Sequence, residues 1–172
     1  MSSSIFLTKN PPSPEFLKAL AAKYPEMDLT AVQTMTSLLR TTIQILNATD
    51  ADLARHKITR GRLSVLANLN RQENGTATPS ELADIIGVTR ATITGLLDAL
   101  ERDKLVSREE GDDARSIKVR LCAKGRRVLE EILPDRFKKI RGLMKGLSDA
   151  DRLSLQRLLQ KVSAGLPSFT GK

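Results

Sequence analysis

Within Thr89-Arg-Ala-Thr-Ile-Thr-Gly95, hydroxyls stand at Thr89, Thr92 and Thr94, a guanidinium at Arg90, and small residues at Ala91 and Gly95. These residue types bind rather than catalyse. Hydroxyls and a guanidinium hydrogen-bond base edges and phosphate oxygens, and small side chains let a backbone approach closely. Free N–H groups at a helix start favour phosphate as well. Thr89 alone fits an ordinary surface helix with a threonine cap, so its meaning depends on what surrounds it.

Catalytic sets are missing. The one histidine, His56, and the one cysteine, Cys122, stand far apart, which leaves no Ser-His-Asp triad to build. Neither a glycine-rich phosphate loop nor a paired His/Glu metal motif occurs. A zinc site takes about four ligands, usually His and Cys, so neither a metal nor another cofactor is expected, and Ser64 and Asp98 read as ordinary helix residues. Cys122 ends an alternating strand and reads as a packed, unreactive thiol. His56 reads as a surface residue at a helix–helix link.

The elements that must position the Thr89–Gly95 stretch are legible on either side of it. Thr78-Pro-Ser-Glu81 is a helix start, with Thr78 as N-cap, Pro79 in the first helical position and Glu81 completing a capping box. That helix packs Leu82, Ala83, Ile85 and Ile86 and ends at Gly87. Thr89 caps the next, whose Ile93, Leu97 and Leu100 share one face, and which stops near Asp103-Lys104. A strand follows at Leu105–Glu109, a polar turn at Glu110–Ala114, and a second strand at Ser116–Cys122, where Ile117, Val119 and Leu121 alternate with Lys118 and Arg120.

Upstream, Asn10-Pro-Pro-Ser-Pro14 closes a loose arm over residues 1–13. Glu15–Lys23 is a short helix, and Asp28 caps a long one carrying Leu29, Val32, Met35, Leu38, Leu39, Ile43 and Leu46 at helical spacing. Thr59 caps a further helix with Leu63, Leu66, Ala67 and Leu69. Downstream, Lys124–Met144 is helical with a kink or break expected at Pro134, and Ser148 opens a last helix with Leu153, Leu155, Leu158, Leu159 and Val162. The apolar stripes at 28–48 and 149–162 are too long for a small monomer to hide, so they are expected to bury each other across a two-fold.

A short capped helix, a glycine turn, a second capped helix and a β-hairpin is the order of a winged helix-turn-helix. The fold expected is mainly α with a small β-hairpin wing. Ser80-Glu-Leu-Ala-Asp-Ile-Ile-Gly-Val-Thr-Arg-Ala-Thr-Ile-Thr-Gly-Leu-Leu-Asp-Ala-Leu-Glu-Arg-Asp-Lys-Leu-Val106 resembles the helix-turn-helix of the MarR family. Arg108, Asp113-Ala-Arg115 and Val119-Arg-Leu-Cys-Ala-Lys-Gly125 resemble its wing and the entry to its next helix. The resemblance covers the middle third of the chain.

It implies a homodimeric, ligand-responsive repressor that binds double-stranded DNA at an inverted repeat. The organisation implied is 1–13 arm, 14–53 N-terminal dimerisation helices, 54–124 winged helix-turn-helix, and 125–172 C-terminal dimerisation helices. The DNA-contacting residues implied are Thr78, Ser80, Thr89, Arg90, Ala91, Thr92, Thr94, Gly95, Arg108, Asp113 and Arg115. Arg115 would enter the minor groove while Asp113 fixes the wing. A small apolar or anionic effector is implied too. Three features depart from the family pattern. Gly95 stands where many relatives carry a basic residue, the wing turn is one residue short, and Leu121-Cys122 replaces the usual Leu-Thr.

Charge gives a mixed picture. The 172 residues carry a net +8, which invites a polyanion. Yet residues 76–124 hold eight Lys or Arg against nine Asp or Glu, so the module that would read DNA is not itself basic. Arg55, Lys57, Arg60 and Arg62 offer phosphate contacts at its flank. The cluster Arg136, Lys138, Lys139, Arg141 and Lys145 would face DNA, attract an anionic effector, or be a solvated helix face. The near-neutral module keeps an alternative open, a protein-interaction module without DNA built on the same dimer scaffold. No apolar run approaches the ~20 residues of a membrane helix, residues 1–7 lack the features of a signal peptide, and a single cysteine fits a reducing cytoplasm.

Overall fold

The computed structural model describes residues 12–72, 74–110 and 117–170, without the side chains of 169 and 170. In chain order the elements are α1 (Pro14–Lys23), α2 (Leu29–Arg55), α3 (Arg60–Arg71), β1 (Thr76–Ala77), α4 (Pro79–Ile86), α5 (Arg90–Arg102), β2 (Val106–Glu110), β3 (Ile117–Leu121), α6 (Ala123–Leu143), α7 (Asp149–Ala164) and α8 (Leu166–Thr170). They form two compact units, one up to Leu63 and one from Ser64 onward.

In the first unit, local side-chain caps set the helix starts. Ser13 accepts the Phe16 N–H at 3.1 Å, and the Asp28 carboxylate accepts the Ala31 N–H at 3.0 Å and the Thr30 hydroxyl at 2.6 Å. These bonds satisfy amides that a helix start leaves without a partner. Leu17 is the buried residue of α1. The 27-residue α2 buries only Leu53, and Met35, Ile43 and Leu46 of its apolar stripe are exposed. Arg60 pairs with Asp50 at 2.5 Å across the α2–α3 corner.

The second unit is built on a three-stranded antiparallel sheet in the order β1-β3-β2. β2 and β3 form the expected hairpin, with Arg108 opposite Val119 and Glu110 opposite Ile117. β1 is the strand that sequence reading does not anticipate. Thr76 pairs with Arg120 and Ala77 with Val119, and two residues are too few to show a period. Leu66, Leu69, Leu82, Ile93, Leu97, Leu100, Val119 and Leu129 are fully buried. Each contributes about 1.5–3 kcal/mol of burial.

Two expectations need correction. Ile85 does not pack inside; it is 52% exposed. On the eight-residue α4, Leu82 and Ala83 fill the buried face and Ile85 falls off it. Of the kink or break expected at Pro134, the break does not occur, since α6 runs unbroken from Ala123 to Leu143. A proline inside a helix removes one N–H bond, but Leu129 and Ile132, buried on the preceding turns, hold the helix in place. Beyond Ile132 most of the large apolar residues are in the open. Phe137, Ile140 and Leu143 are exposed, as are Leu153, Leu155, Leu158, Leu159 and Val162 of α7, which buries none of its residues. No described helix is long and apolar enough to cross a membrane.

Candidate nucleic-acid interface

Thr78 and Glu81 cap each other. The Thr78 N–H donates to Glu81 Oε2 at 2.7 Å and the Glu81 N–H to Thr78 Oγ1 at 3.2 Å. Gly87, at φ +73, ends α4 in the left-handed conformation that glycine adopts without strain. The Val88 N–H then folds back onto the Ala83 carbonyl at 3.0 Å, which turns the chain within two residues into α5.

α5 starts at Thr89, whose hydroxyl accepts the Thr92 N–H at 3.1 Å and lies 2.9 Å from the Thr92 hydroxyl. Ile93, Leu97 and Leu100 anchor the helix from its buried side. The opposite side therefore presents Thr89, Arg90, Ala91, Thr92, Thr94 and Gly95, all exposed. An Arg90 guanidinium nitrogen donates to Ser80 Oγ at 3.4 Å and ties the first turn of α5 to that of α4. The structure thus gathers the anticipated residues of these two helix starts on one surface. The Thr94 hydroxyl donates to the Arg90 carbonyl at 2.9 Å. With that proton committed, Thr94 faces outward as an acceptor. A Cβ at Gly95 meets nothing within 4 Å, so the missing basic side chain leaves open space.

Arg108 sits in β2, half-buried, and its contacts are to α5. Its N–H donates to Glu101 Oε1 at 3.2 Å, Nη1 pairs with Glu101 Oε2, and Nη2 bonds Asp98 Oδ1 at 2.6 Å. The Asp98 hydrogen bond, more than the charge of Glu101, raises its pKa above the usual arginine value. Asp113 and Arg115 lie outside the described residues.

Other cations of this unit bind internally, which composition cannot reveal. Arg120 pairs with Glu109 at 2.5 Å across the hairpin, and Lys124 donates to the Asp103 carbonyl at 2.9 Å. Glu109 is held below its ordinary value by that bond from Arg120. In the α6 cluster Lys139 pairs with Asp135, Arg136 is half-buried, and Lys138, Arg141 and Lys145 are exposed. His56 is the C-cap of α2. In the first unit, a groove of about 570 Å³ is lined by Leu17, Gln33, Arg40 and Gln44, and another of about 470 Å³ by Asp50, Ala54, Ile58 and Arg60.

Two expected results follow from the caps. Hydrogen bonds from Thr78, the backbone N–H first and the hydroxyl second, hold Glu81 below its ordinary 4.5. A depressed carboxylate stabilises the fold above its unfolded pKa and loses that contribution as pH falls through the folded value. Glu81→Gln is therefore expected to lower the urea midpoint at pH 7, with the difference shrinking steadily as pH drops below 4.5. A constant difference down to pH 3 contradicts the assignment. Cys122 is the half-buried N-cap of α6 and makes no side-chain cap bond. Serine is a better cap by about 0.5–1 kcal/mol. Cys122→Ser should raise stability slightly and leave the response to mild peroxide unchanged; a mutant that becomes insensitive to peroxide marks the thiol as a sensor.

A three-stranded wing behind two capped helices that meet at a glycine turn defines a winged helix-turn-helix protein. Residues 56–116 match the MarR family model. Over 162 residues the chain is 31% identical to the HTH-type transcriptional repressor YetL of Bacillus subtilis, covering 94% of this chain and 97% of that protein. The chain belongs to the MarR family of transcriptional regulators. Among solved structures, Sco3205 of Streptomyces coelicolor, a MarR family regulator in complex with DNA, superimposes with a TM-score of 0.76 at 21% identity, over 81% of this chain and 89% of that one. BpsR of Bordetella bronchiseptica, whose DNA binding is regulated by 6-hydroxynicotinic acid, gives 0.65 at 24% identity, over 76% and 98%.

Proposed function

We propose that this chain is a cytoplasmic repressor that binds double-stranded DNA sequence-specifically as a homodimer. The observation that carries the reading is the exposed first turn of α5. Its hydroxyls and guanidinium face outward, tied to α4 through Arg90 and Ser80, as a major-groove reading helix requires. Thr78, Ser80 and Thr89 lie at the helix starts where phosphate is favoured. Arg90, Ala91, Thr92, Thr94 and Gly95 face base edges, and Arg115, with Asp113, serves the minor groove. The helices of 14–53 and 125–172 pair two copies, which covers the apolar faces left open in the single chain. A small apolar or anionic effector regulates DNA binding, by analogy with the similar Bordetella protein, and the grooves of the first unit are of a size for one. No catalytic step belongs to this activity.

Selection from random duplexes followed by sequencing is the test. An inverted repeat with half-sites about 10 bp apart, centre to centre, is expected, with affinity falling steeply as salt rises because phosphate contacts release counterions. Arg115→Ala should flatten the salt slope by about 1, while a Thr92 replacement relaxes sequence preference by about 1–3 kcal/mol. Absence of salt-dependent duplex binding means that the scaffold serves protein contacts instead.

A further inference from the structure

Arg108 is the anticipated DNA-contacting residue whose guanidinium is held by two carboxylates inside the described fold. Asp98 and Glu101 stand three residues apart near the end of α5, and Arg108 meets both from the middle of β2 through its backbone N–H and two guanidinium nitrogens. A planar guanidinium held by two carboxylates has its orientation set by them, and the N–H groups it keeps cannot swing toward a phosphate without breaking those bonds. Asp98, Glu101 and Arg108 keep 56%, 38% and 30% of their side-chain surface, and ion pairs this exposed add little to fold stability. What the arrangement does provide is geometry and charge. It fixes the base of the hairpin against the helix that presents Thr89–Gly95, and it masks two carboxylates that would otherwise repel the DNA backbone.

We propose that Arg108 is a positioning residue that sets the wing on α5 through Asp98 and Glu101, and that it does not itself touch DNA. The inference rests on the DNA-binding reading above. It makes a counter-intuitive demand, because deleting negative charge near DNA ordinarily tightens binding.

The test compares wild type, Asp98→Asn/Glu101→Gln, Arg108→Gln and the triple variant on the selected duplex across a salt series, with circular dichroism as folding control. The carboxylate variant is expected to bind on the order of tenfold more weakly although two negative charges are gone. Arg108→Gln should lose a similar amount with its salt slope unchanged, and the triple variant should lose no more than either, within about threefold. Tighter binding by the carboxylate variant, or a slope about 1 unit smaller for Arg108→Gln, overturns the proposal, because either marks Arg108 as a phosphate contact. Asp98→Asn alone keeps the Glu101 contact and so its fold. An intermediate loss there supports the proposal if the stronger variants do not fold, and a gain overturns it. If wild type itself shows no salt-dependent duplex binding, the DNA reading fails first, and this inference with it.

Discussion

Gly125→Ala is expected to destabilise the protein by about 3 kcal/mol, the upper end of the usual cost of overpacking. Gly125 is buried in the first turn of α6. A Cβ built there overlaps the Leu105 carbonyl oxygen and stands 2.8 Å from Leu121 Cδ1. Neither neighbour is free to retreat. The Leu105 oxygen accepts the Cys122 N–H at 3.1 Å, which ties the start of the hairpin to the start of α6. Leu121, 4% exposed, is locked in β3 opposite Val106. The methyl group must therefore push α6 away from the sheet. Gly95→Ala is the control, because it lies mid-helix with nothing within 4 Å of the added carbon and should gain about 0.5–1 kcal/mol from helix propensity. Urea unfolding of both variants gives opposite shifts in midpoint. Equal shifts, or a neutral Gly125→Ala, would show that α6 does not approach the hairpin this closely. DNA affinity should fall in Gly125→Ala even below its melting temperature, since Leu105 leads into the wing.

What sequence reading recovers correctly is local. Asp28, Thr59, Thr78, Thr89 and Ser148 each bond an amide three residues on, and spacing alone announces that geometry. The paired helices and the hairpin follow from such signals plus alternation. The features it misses depend on partners distant in sequence. β1 exists because Thr76 and Ala77 reach β3 more than forty residues later. Arg120 pairs with Glu109 eleven residues away, and Arg108 reaches Asp98 at a separation of ten. A count of basic residues cannot tell which are committed internally. Pattern likewise marks Ile85 as apolar and helical without saying on which side of a short helix the core lies. Within the candidate interface, the Thr89–Thr92 cap is legible because its contact spans three residues, whereas the Arg90–Ser80 contact, at a separation of ten, comes with the fold. The orientation of Arg108 comes only with the tertiary fold.

Leu158→Glu is expected to leave a folded chain that no longer assembles. Leu158 is 58% exposed in the single chain and lies in the middle of α7, which buries none of its residues. In a protein that works alone, a glutamate there would change stability by no more than about 0.5 kcal/mol. In a two-fold dimer the same substitution enters the interface twice, once from each copy. Each carboxylate is then withdrawn from water beside Leu155, Leu159 and Val162 of its own helix, and Lys161, one turn on, offsets only part of a cost of several kcal/mol. A penalty of about 4 kcal/mol weakens association about a thousandfold, enough to give monomer at micromolar concentration by sedimentation. DNA binding should fall by a further observable route. Two linked modules engage two half-sites with an avidity of roughly 10²–10⁴ over one, so the variant should bind an isolated half-site as wild type does but lose its preference for the inverted repeat. Circular dichroism separates this from unfolding, because α4, α5 and the wing contain their own core. If Leu158→Glu sediments as wild type and keeps its affinity for the full site, the open leucines of α7 are not an interface between copies, and the open faces of α2 and α6 are left as the candidates.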